Sequence, residues 1–137
     1  MKIKVAVSGG FDPLHVGHLE YLEKAKCLGD KLIVIVNQDS FLKVKKGYIF
    51  MPLGDRVKII KALKVVDEVV IAIDNDQTVA ETIRLIRPDI FANGGDQRTG
   101  NPKEVEACRE VGCKMIFGLG DKIRSSSELV RKAQECQ

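Results

Sequence analysis

Short apolar runs alternate with helix-like segments along the whole of this chain. The runs are bounded by turn-forming residues, and the longer ones carry apolar residues on both faces, which is typical of strands buried in a parallel sheet. Alternating strands and helices predict an α/β fold, in which a parallel five-stranded sheet has helices on both faces. The predicted strands lie at residues 3–7, 31–37, 68–73, 89–93 and 114–117.

The segments between the strands carry helix start and stop signals. Asp76 is the predicted N-cap of one helix, Glu104 completes a predicted capping box, and residues 43–50 are predicted to form a loop. The first helix is expected to stop at Gly29. Helices are predicted at residues 19–29, 39–42, 55–63, 76–87 and 101–112, and a last one opens at residues 125–128.

Length and charge limit the classes of protein this chain can be. Its 137 residues are enough for one domain with a core, which we expect to cover residues 1–137. The net charge of +3 is too small to indicate a nucleic-acid-binding protein. The sequence contains neither an apolar stretch of membrane-spanning length nor a signal peptide, so we expect a cytoplasmic protein without a membrane partner. Four cysteines without CxxC pairing indicate reduced thiols rather than a metal or redox site.

The two histidines, His15 and His18, stand three residues apart where the first strand gives way to the first helix. Turns of this kind bind ligands in open α/β sheets, and free N–H groups at a helix start favour anions. Protonated, or donating one N–H each, the imidazoles can stabilise an oxyanion on phosphorus, and Gly17 lets a ligand approach the backbone. One surface and one structural histidine, or a zinc site, are the alternatives, although the sequence offers few further zinc ligands nearby.

A basic segment follows the second predicted strand and contains Lys43, Lys45 and Lys46. In a mobile loop, three ammonium groups can close over a triphosphate and neutralise its charge. A solvated basic loop is the alternative.

Two further segments are candidate binding elements. Ser125, Ser126 and Ser127 follow Arg124 at a predicted helix start, where hydroxyls beside a guanidinium can cradle an anion or can simply cap the helix. The Gly-Gly-Asp segment that ends at Asp96 either admits a base or sugar close to the backbone or forms an ordinary turn. Neither GxGxxG nor GxxxxGK[ST] occurs, which argues against a dehydrogenase and a P-loop kinase.

Taken in order, these motifs resemble those of the cytidylyltransferase-like nucleotidyltransferases. The HxGH element of that family corresponds to His15-Val16-Gly17-His18, and the neighbouring residues 10–14 fit within the G-x-F-D-x-L-H pattern that the family favours. The small bacterial and archaeal group is the most similar; it contains glycerol-3-phosphate cytidylyltransferase, the heptose-1-phosphate adenylyltransferase domain and archaeal FAD synthase. Further matches are the segments 29–30, 37–39, 87–90 and 94–96, the lysine segment, Arg56 and the serine cluster.

The resemblance implies a Rossmann-like fold and transfer of a nucleotidyl group from ATP or CTP to a phosphorylated acceptor such as a sugar or polyol phosphate. The resemblance also implies that pyrophosphate is released, that Mg²⁺ would bridge phosphate oxygens with help from Asp12, and that the protein would form a homodimer. The implied catalytic residues are His15, His18, Lys43, Lys45 and Lys46. The implied nucleotide-binding residues are Gly9, Gly10, Phe11, Asp12, Gly17, Asp96, Arg124, Ser125, Ser126 and Ser127. Asp39 and Arg56 are expected to bind the acceptor, with a solvated helix charge as the alternative for Arg56.

Other functions stay open. FMN adenylyltransferase activity would use the same residues with another acceptor, and a non-catalytic nucleotide-binding module would keep the fold. The joint presence of the histidines, the lysines and the serines favours an enzyme. A flavodoxin-like redox protein leaves the paired histidines unexplained. The segment before the serine cluster, residues 120–124, departs from the Arg-Thr-Glu-Gly-Ile of cytidylyltransferases, so both ATP and CTP remain candidates.

Overall fold

A computed structural model describes residues 2–94 and 100–119. In this part of the chain, no helix combines the length and apolar character needed to cross a bilayer. The strands are β1 (Lys4–Gly9), β2 (Lys31–Val36), β3 (Glu68–Ile71), β4 (Ile90–Gly94) and β5 (Lys114–Leu119). The helices are α1 (Val16–Lys26), α2 (Asp39–Lys46), α3 (Leu53–Lys61), α4 (Ala80–Ile86) and α5 (Pro102–Val111).

The five strands form one sheet in the order β3-β2-β1-β4-β5, and every pair of neighbours is parallel. This confirms the predicted Rossmann-like sheet. The chain moves outward from β1 through β2 to β3 and then returns to the other side of β1 as β4. The strand order therefore reverses between β1 and β4, and open α/β sheets bind ligands in the crevice at such a reversal.

Both faces of the sheet are covered by helices, as predicted. Val5 and Val7 of β1 pack with Leu22 of α1 and Ile60 of α3. Ala6, between them, belongs to a second cluster that includes residues of α4 and α5. The alternation within β1 follows from the two-residue period of a strand, and it leaves both faces of the central strand buried.

Helix α1 spans Val16–Lys26 rather than the predicted 19–29. It begins early because His15 supplies the N-cap, a role that the sequence analysis did not assign to a histidine. The expected stop at Gly29 is wrong, since the C-cap is Cys27. A side chain at Gly29 would place its Cβ 2.8 Å from the carbonyl oxygen of Ile3, so close backbone approach explains this glycine.

The prediction that residues 43–50 form a loop is wrong for the first four of them. Helix α2 continues to Lys46 and ends at Gly47, whose φ of 84° is the left-handed conformation that favours glycine. Lysines are good helix formers, and their charge is favourable in the last turn of a helix. The basic segment is therefore the end of a helix and not a mobile loop.

Helix α4 begins at Ala80, so the prediction that Asp76 is its N-cap is also wrong. Asp76 instead accepts hydrogen bonds from the backbone and hydroxyl of Thr78. Asp74 satisfies the first turn of the helix, because its carboxylate accepts from the backbone N–H groups of Glu81 and Thr82 at 2.7 and 3.1 Å.

Helix α5 begins and ends as predicted. Asn101 caps it by accepting from Lys103 N at 2.9 Å, and Gly112 ends it with a φ of 72°. The expected capping box does not form, because Glu104 accepts instead from Val79 N at 3.0 Å. This contact joins α5 to the start of α4, and burial raises the pKa of the Glu104 carboxyl.

Candidate active site

The strand order reverses between β1 and β4, and helix α1 packs there against the end of β4. Tyr21 of α1 donates its hydroxyl to the carbonyl of Ala92 in β4 at 2.6 Å. A Cβ on Gly94, the last residue of β4, would lie 3.0 Å from the Tyr21 ring and 3.1 Å from the carbonyl oxygen of Leu119. Gly94 therefore lets α1 pack closely against the end of the sheet, and this packing fixes the position of the histidine turn.

His15 and His18 cap the start of α1 together. The Nδ1 atom of His15 accepts from Gly17 N at 3.1 Å, and the Nδ1 atom of His18 accepts from His15 N at 3.2 Å. Their ring centroids are 3.9 Å apart, with an interplanar angle of 31°. An imidazole whose Nδ1 accepts a hydrogen bond carries its proton on Nε2. The cap therefore presents two adjacent Nε2–H donors, a suitable arrangement for binding an oxyanion.

His18 is neutral near pH 7. It is partly buried, and its ring packs edge-on against Phe11 with centroids 5.1 Å apart. Burial, followed by the proximity of His15, lowers the pKa of His18 from 6.5 to about 4. The sequence predicted that each imidazole stabilises an oxyanion either as a charged ring or by donating one N–H. For His18, the low pKa favours donation from the neutral ring.

Phe11 forms the floor of the histidine turn. Its side chain is only 3% exposed and belongs to the core, while its φ of 52° is rare for a residue with a side chain. A Cβ on Gly9 would lie 3.0 Å from the Phe11 ring, and one on Gly10 would lie 2.6 Å from Leu42 of α2. Strained backbone concentrates at functional sites, where the surrounding packing holds it in place. Here the glycine pair provides the room that this packing requires.

Asp12 fastens the loop between α2 and α3 to the histidine turn. Its fully buried carboxylate accepts from Phe50 N at 2.7 Å, from Met51 N and from Lys46 Nζ at 3.2 Å. Burial raises the pKa of Asp12, but these hydrogen bonds outweigh burial and the net pKa lies below 3.8. Three acceptor positions are thus filled, of about four that a carboxylate has.

This arrangement does not fit the expected contribution of Asp12 to a Mg²⁺ site, because its oxygens are engaged by the protein. Across residues 2–94 and 100–119, no group of three or more His, Cys, Asp or Glu side chains is suitably placed to hold a metal ion. The described residues therefore do not fit a Mg²⁺ site held by the protein.

The three lysines of α2 have different surroundings. Lys46 donates to the carbonyl of Asp12 at 2.7 Å as well as to its carboxylate, and its ammonium group lies 4.9 Å from the Tyr48 ring centroid. Lys45 is exposed and lies 5.8 Å from the Phe41 ring centroid, and Lys43 is exposed. Lys46 is therefore fixed in place, whereas Lys43 and Lys45 are accessible to an anionic ligand.

Arg56 is fully buried, so the alternative of a solvated helix charge is wrong. Its guanidinium donates to the carbonyls of Met51, Gly10 and Asn37 at 2.9, 2.9 and 2.7 Å, and to the Asp39 carboxylate at 2.6 Å. The two residues predicted to bind the acceptor are thus bonded to each other. Arg56 ties the ends of β1 and β2 to the segment before α3.

Three residues beside the site were not among the predicted catalytic or binding residues, although Asn37 lies in the matched segment 37–39. Asn37 is 6% exposed, and its Oδ1 is the one buried side-chain polar atom of the described residues that lacks a hydrogen-bond partner. Tyr48 and Phe50 are exposed in the loop that Asp12 holds. A polar residue at the end of a buried strand, and aromatic residues next to a lysine cluster, were the signals available in the sequence.

Five of the predicted site residues lie outside the described residues: Asp96, Arg124, Ser125, Ser126 and Ser127. Their expected role in binding the nucleotide therefore stays a prediction.

Comparisons with known proteins identify the family to which this chain is similar. The cytidylyltransferase-like family model matches residues 6–133. The FAD synthase of Thermococcus sibiricus is 46% identical, covering 98% of this chain and 94% of that protein. The FAD synthase of Pyrococcus abyssi is 41% identical over 115 residues, which cover 83% of this chain and 77% of that protein.

A second group of relatives is larger than this chain. The bifunctional protein HldE of Nitratiruptor is 37% identical and covers 96% of the chain, but the match is only 28% of its own length. Among solved structures, the lipopolysaccharide core biosynthesis protein of Thermoplasma volcanium superposes with a TM-score of 0.73 at 30% identity, covering 86% of this chain and 95% of that one. The match to the family model spans nearly the whole sequence and includes the paired histidines. The chain therefore belongs to the cytidylyltransferase-like family of nucleotidyltransferases.

Proposed function

We propose that this protein transfers AMP from ATP to the phosphate of FMN, producing FAD and pyrophosphate. The observation that carries the chemistry is the pair of Nε2–H donors that His15 and His18 present at the crevice. The choice of FMN is supported by the FAD synthase relatives, which match at 41% and 46% identity over most of their own length.

The proposed reaction is an in-line displacement at the α-phosphorus of ATP. An oxygen of the acceptor phosphate attacks, a new phosphoanhydride bond forms, and the bond to the pyrophosphate oxygen breaks. Phosphate monoesters have a second pKa near 6, so the attacking group is already a dianion at neutral pH and needs no base. Catalysis then depends on positioning and on stabilisation of negative charge.

The histidines supply that stabilisation. As charge builds up on the oxygens of the α-phosphorus and on the leaving oxygen, the Nε2–H groups of His15 and His18 donate to them. Their backbone-bonded Nδ1 atoms keep both donors oriented before the substrate arrives. Preorganised donors of this kind are worth roughly 10²- to 10³-fold each in kcat.

The remaining residues have supporting roles in this proposal. Lys43 and Lys45 offset the charge of the phosphates, while Lys46 holds Asp12. Ser125, Ser126 and Ser127 with Arg124 bind the β- and γ-phosphates, and Asp96 borders the nucleotide. Mg²⁺ would enter with ATP, since this ion keeps several waters and binds chiefly to substrate phosphates. The protein is proposed to act as a homodimer.

A panel of substrates tests the proposal. The purified protein is incubated with Mg²⁺, each of the four NTPs and one acceptor, chosen from FMN, glycerol 3-phosphate and a heptose 1-phosphate. Pyrophosphate release and chromatographic detection of FAD are the readouts, with a His15→Ala/His18→Ala double variant as the control. We expect turnover with ATP and FMN only, and at most trace turnover in the control.

Sugar phosphate is the competing acceptor, because the HldE relatives and the Thermoplasma structure are also similar to this chain. Turnover with the heptose phosphate and none with FMN would contradict our assignment of the acceptor. If no acceptor gives pyrophosphate, the enzymatic proposal fails and a nucleotide-binding module becomes the better interpretation.

A further inference from the structure

Two aromatic side chains stand out on the surface of this protein. The chain has five phenylalanines and two tyrosines. Phe11 and Phe91 are buried, whereas Tyr48 and Phe50 are 58% and 65% exposed. Exposing large apolar rings costs free energy, and clustered exposed rings mark binding surfaces more often than isolated ones do. Tyr48 and Phe50 are separated by a single residue, so they are clustered on one short loop.

This loop is held by contacts on both sides. The Asp12 carboxylate accepts from Phe50 N at 2.7 Å, and Lys46 Nζ lies 4.9 Å from the Tyr48 ring centroid while also bonded to Asp12. Arg56 Nε donates to the carbonyl of Met51 at 2.9 Å. The backbone that carries the two rings is thus anchored by two buried side chains, Asp12 and Arg56. Binding a ligand there would therefore lose little conformational entropy from ordering the loop.

The same anchor ties the aromatic loop to the segment that leads into the histidine turn. Asp12 is three residues before His15, and three residues of chain span at most about 11 Å. Lys43 and Lys45, which are exposed on α2, precede the loop. Exposed positive charge and flat apolar rings therefore follow one another along the segment that Asp12 ties to the histidine turn.

We propose that Tyr48 and Phe50 form the subsite for the ring of the acceptor, on which the isoalloxazine of FMN stacks. This inference rests on the proposed function and adds the residues that select its acceptor. A flat aromatic ring bearing a phosphate matches this surface, because the ring gains from aromatic contact and the phosphate from the lysines. A sugar phosphate has no aromatic ring to stack there. The Lys46 ammonium lies over one face of Tyr48, so the ligand uses the other face.

Binding of FMN measured without turnover gives the direct test. Titrating the protein into FMN and following quenching of flavin fluorescence yields a Kd that does not depend on catalysis. Removing one stacking partner weakens ring binding about tenfold, so Tyr48→Ala and Phe50→Ala should each raise the Kd of FMN by about that factor. Tyr48→Phe keeps the ring and should bind FMN like the unmodified protein. Val44→Ala is the matched control, since Val44 is 73% exposed on α2 but has no aromatic face.

Steady-state kinetics separate stacking from a general loss of structure. We expect Tyr48→Ala and Phe50→Ala to raise the KM for FMN with little change in the KM for ATP. Thermal melting checks that each variant is folded, and the two variants serve as independent tests. An unchanged Kd for FMN in both variants, or equal increases in both KM values, would overturn the subsite.

The outcomes also separate this inference from the proposed function. If the unmodified protein makes FAD and neither alanine variant changes FMN binding, the subsite is wrong while the function stands. If the unmodified protein neither binds FMN nor makes FAD, the function is wrong and the subsite falls with it.

Discussion

The imidazoles of His15 and His18 lie side by side with centroids 3.9 Å apart, and each accepts a backbone N–H at Nδ1. The same bonds that begin helix α1 thereby set the tautomer of both rings. Structure and chemistry are therefore coupled at this turn. A substitution that breaks one of these capping hydrogen bonds also removes or misplaces an Nε2–H donor.

This coupling predicts different effects for two conservative substitutions of His18. The side-chain amide of glutamine reaches the position of Nε2, whereas that of asparagine reaches only that of Nδ1. We expect His18→Ala to lower kcat by about 10²-fold or more and His18→Gln to retain more activity than His18→Asn. Pyrophosphate release measures kcat, and circular dichroism checks the fold. Full turnover in His18→Ala would remove His18 from the mechanism.

The low pKa of His18 predicts an acid-sensitive stability. In the unfolded chain His18 takes up a proton near pH 6.5, but in the folded protein only near pH 4. Between these values the unfolded state binds more protons, so the free energy of unfolding decreases as the pH falls from 6.5 to 4. The Tm of the unmodified protein should therefore fall more steeply with decreasing pH than the Tm of His18→Gln, within this pH range. The same dependence of Tm on pH in both proteins would show that His18 is not buried in the neutral form.

Arg56 is predicted to act through structure rather than through contact with the acceptor. Its guanidinium bonds three carbonyls and Asp39, so Arg56→Met should lower the free energy of unfolding by about 3 kcal/mol. Lys58→Met, at an exposed site on the same helix, should have little effect. Urea denaturation measures both. A selective rise in the KM for the acceptor in Arg56→Lys, with stability unchanged, would contradict this and favour acceptor binding.

The lysines of α2 should separate into two classes. Lys43→Met and Lys45→Met should raise the KM for ATP without lowering the Tm, because their ammonium groups are exposed. Lys46→Met should lower the Tm as well, because it removes the cationic partner of the fully buried Asp12 carboxylate. Initial rates over a range of ATP, together with thermal melts, distinguish the classes. Equal losses of Tm in all three variants would show that the distinction is wrong.

Two glycines allow a matched test of packing at the end of β4. A Cβ on Gly94 would lie 3.0 Å from Tyr21 and 3.1 Å from a backbone oxygen, so Gly94→Ala should lower the free energy of unfolding by about 2 kcal/mol. A Cβ on Gly54, in α3, would have no atom within 4 Å beyond its chain neighbours and the backbone of its own helix. Gly54→Ala should therefore raise stability by about 0.5 kcal/mol. Urea midpoints at constant m-value give both numbers, and a stable Gly94→Ala variant would show that α1 can shift away from the sheet.

The periodicity of the sequence was sufficient to predict the sheet. Strand β2 carries apolar residues on both faces, and that pattern alone indicates a parallel sheet buried under two layers of helices. Helix boundaries were less predictable, as the ends of α2 and α4 show. Asp76 is a residue type that commonly caps helices, but Asp74 bonds the first turn of α4 instead. Which aspartate does so depends on the path of the chain from β3 to α4.

Local sequence thus determined the alternating elements, the position of the histidine turn and the family motifs, because these depend on residues that are close together in the chain. Tertiary structure decided the state of each side chain. It buried Arg56 among carbonyls from three segments, and it engaged the Asp12 carboxylate with a loop 38 residues away. Burial and hydrogen-bond partners arise from segments distant in sequence, so no local pattern of residue types specifies them.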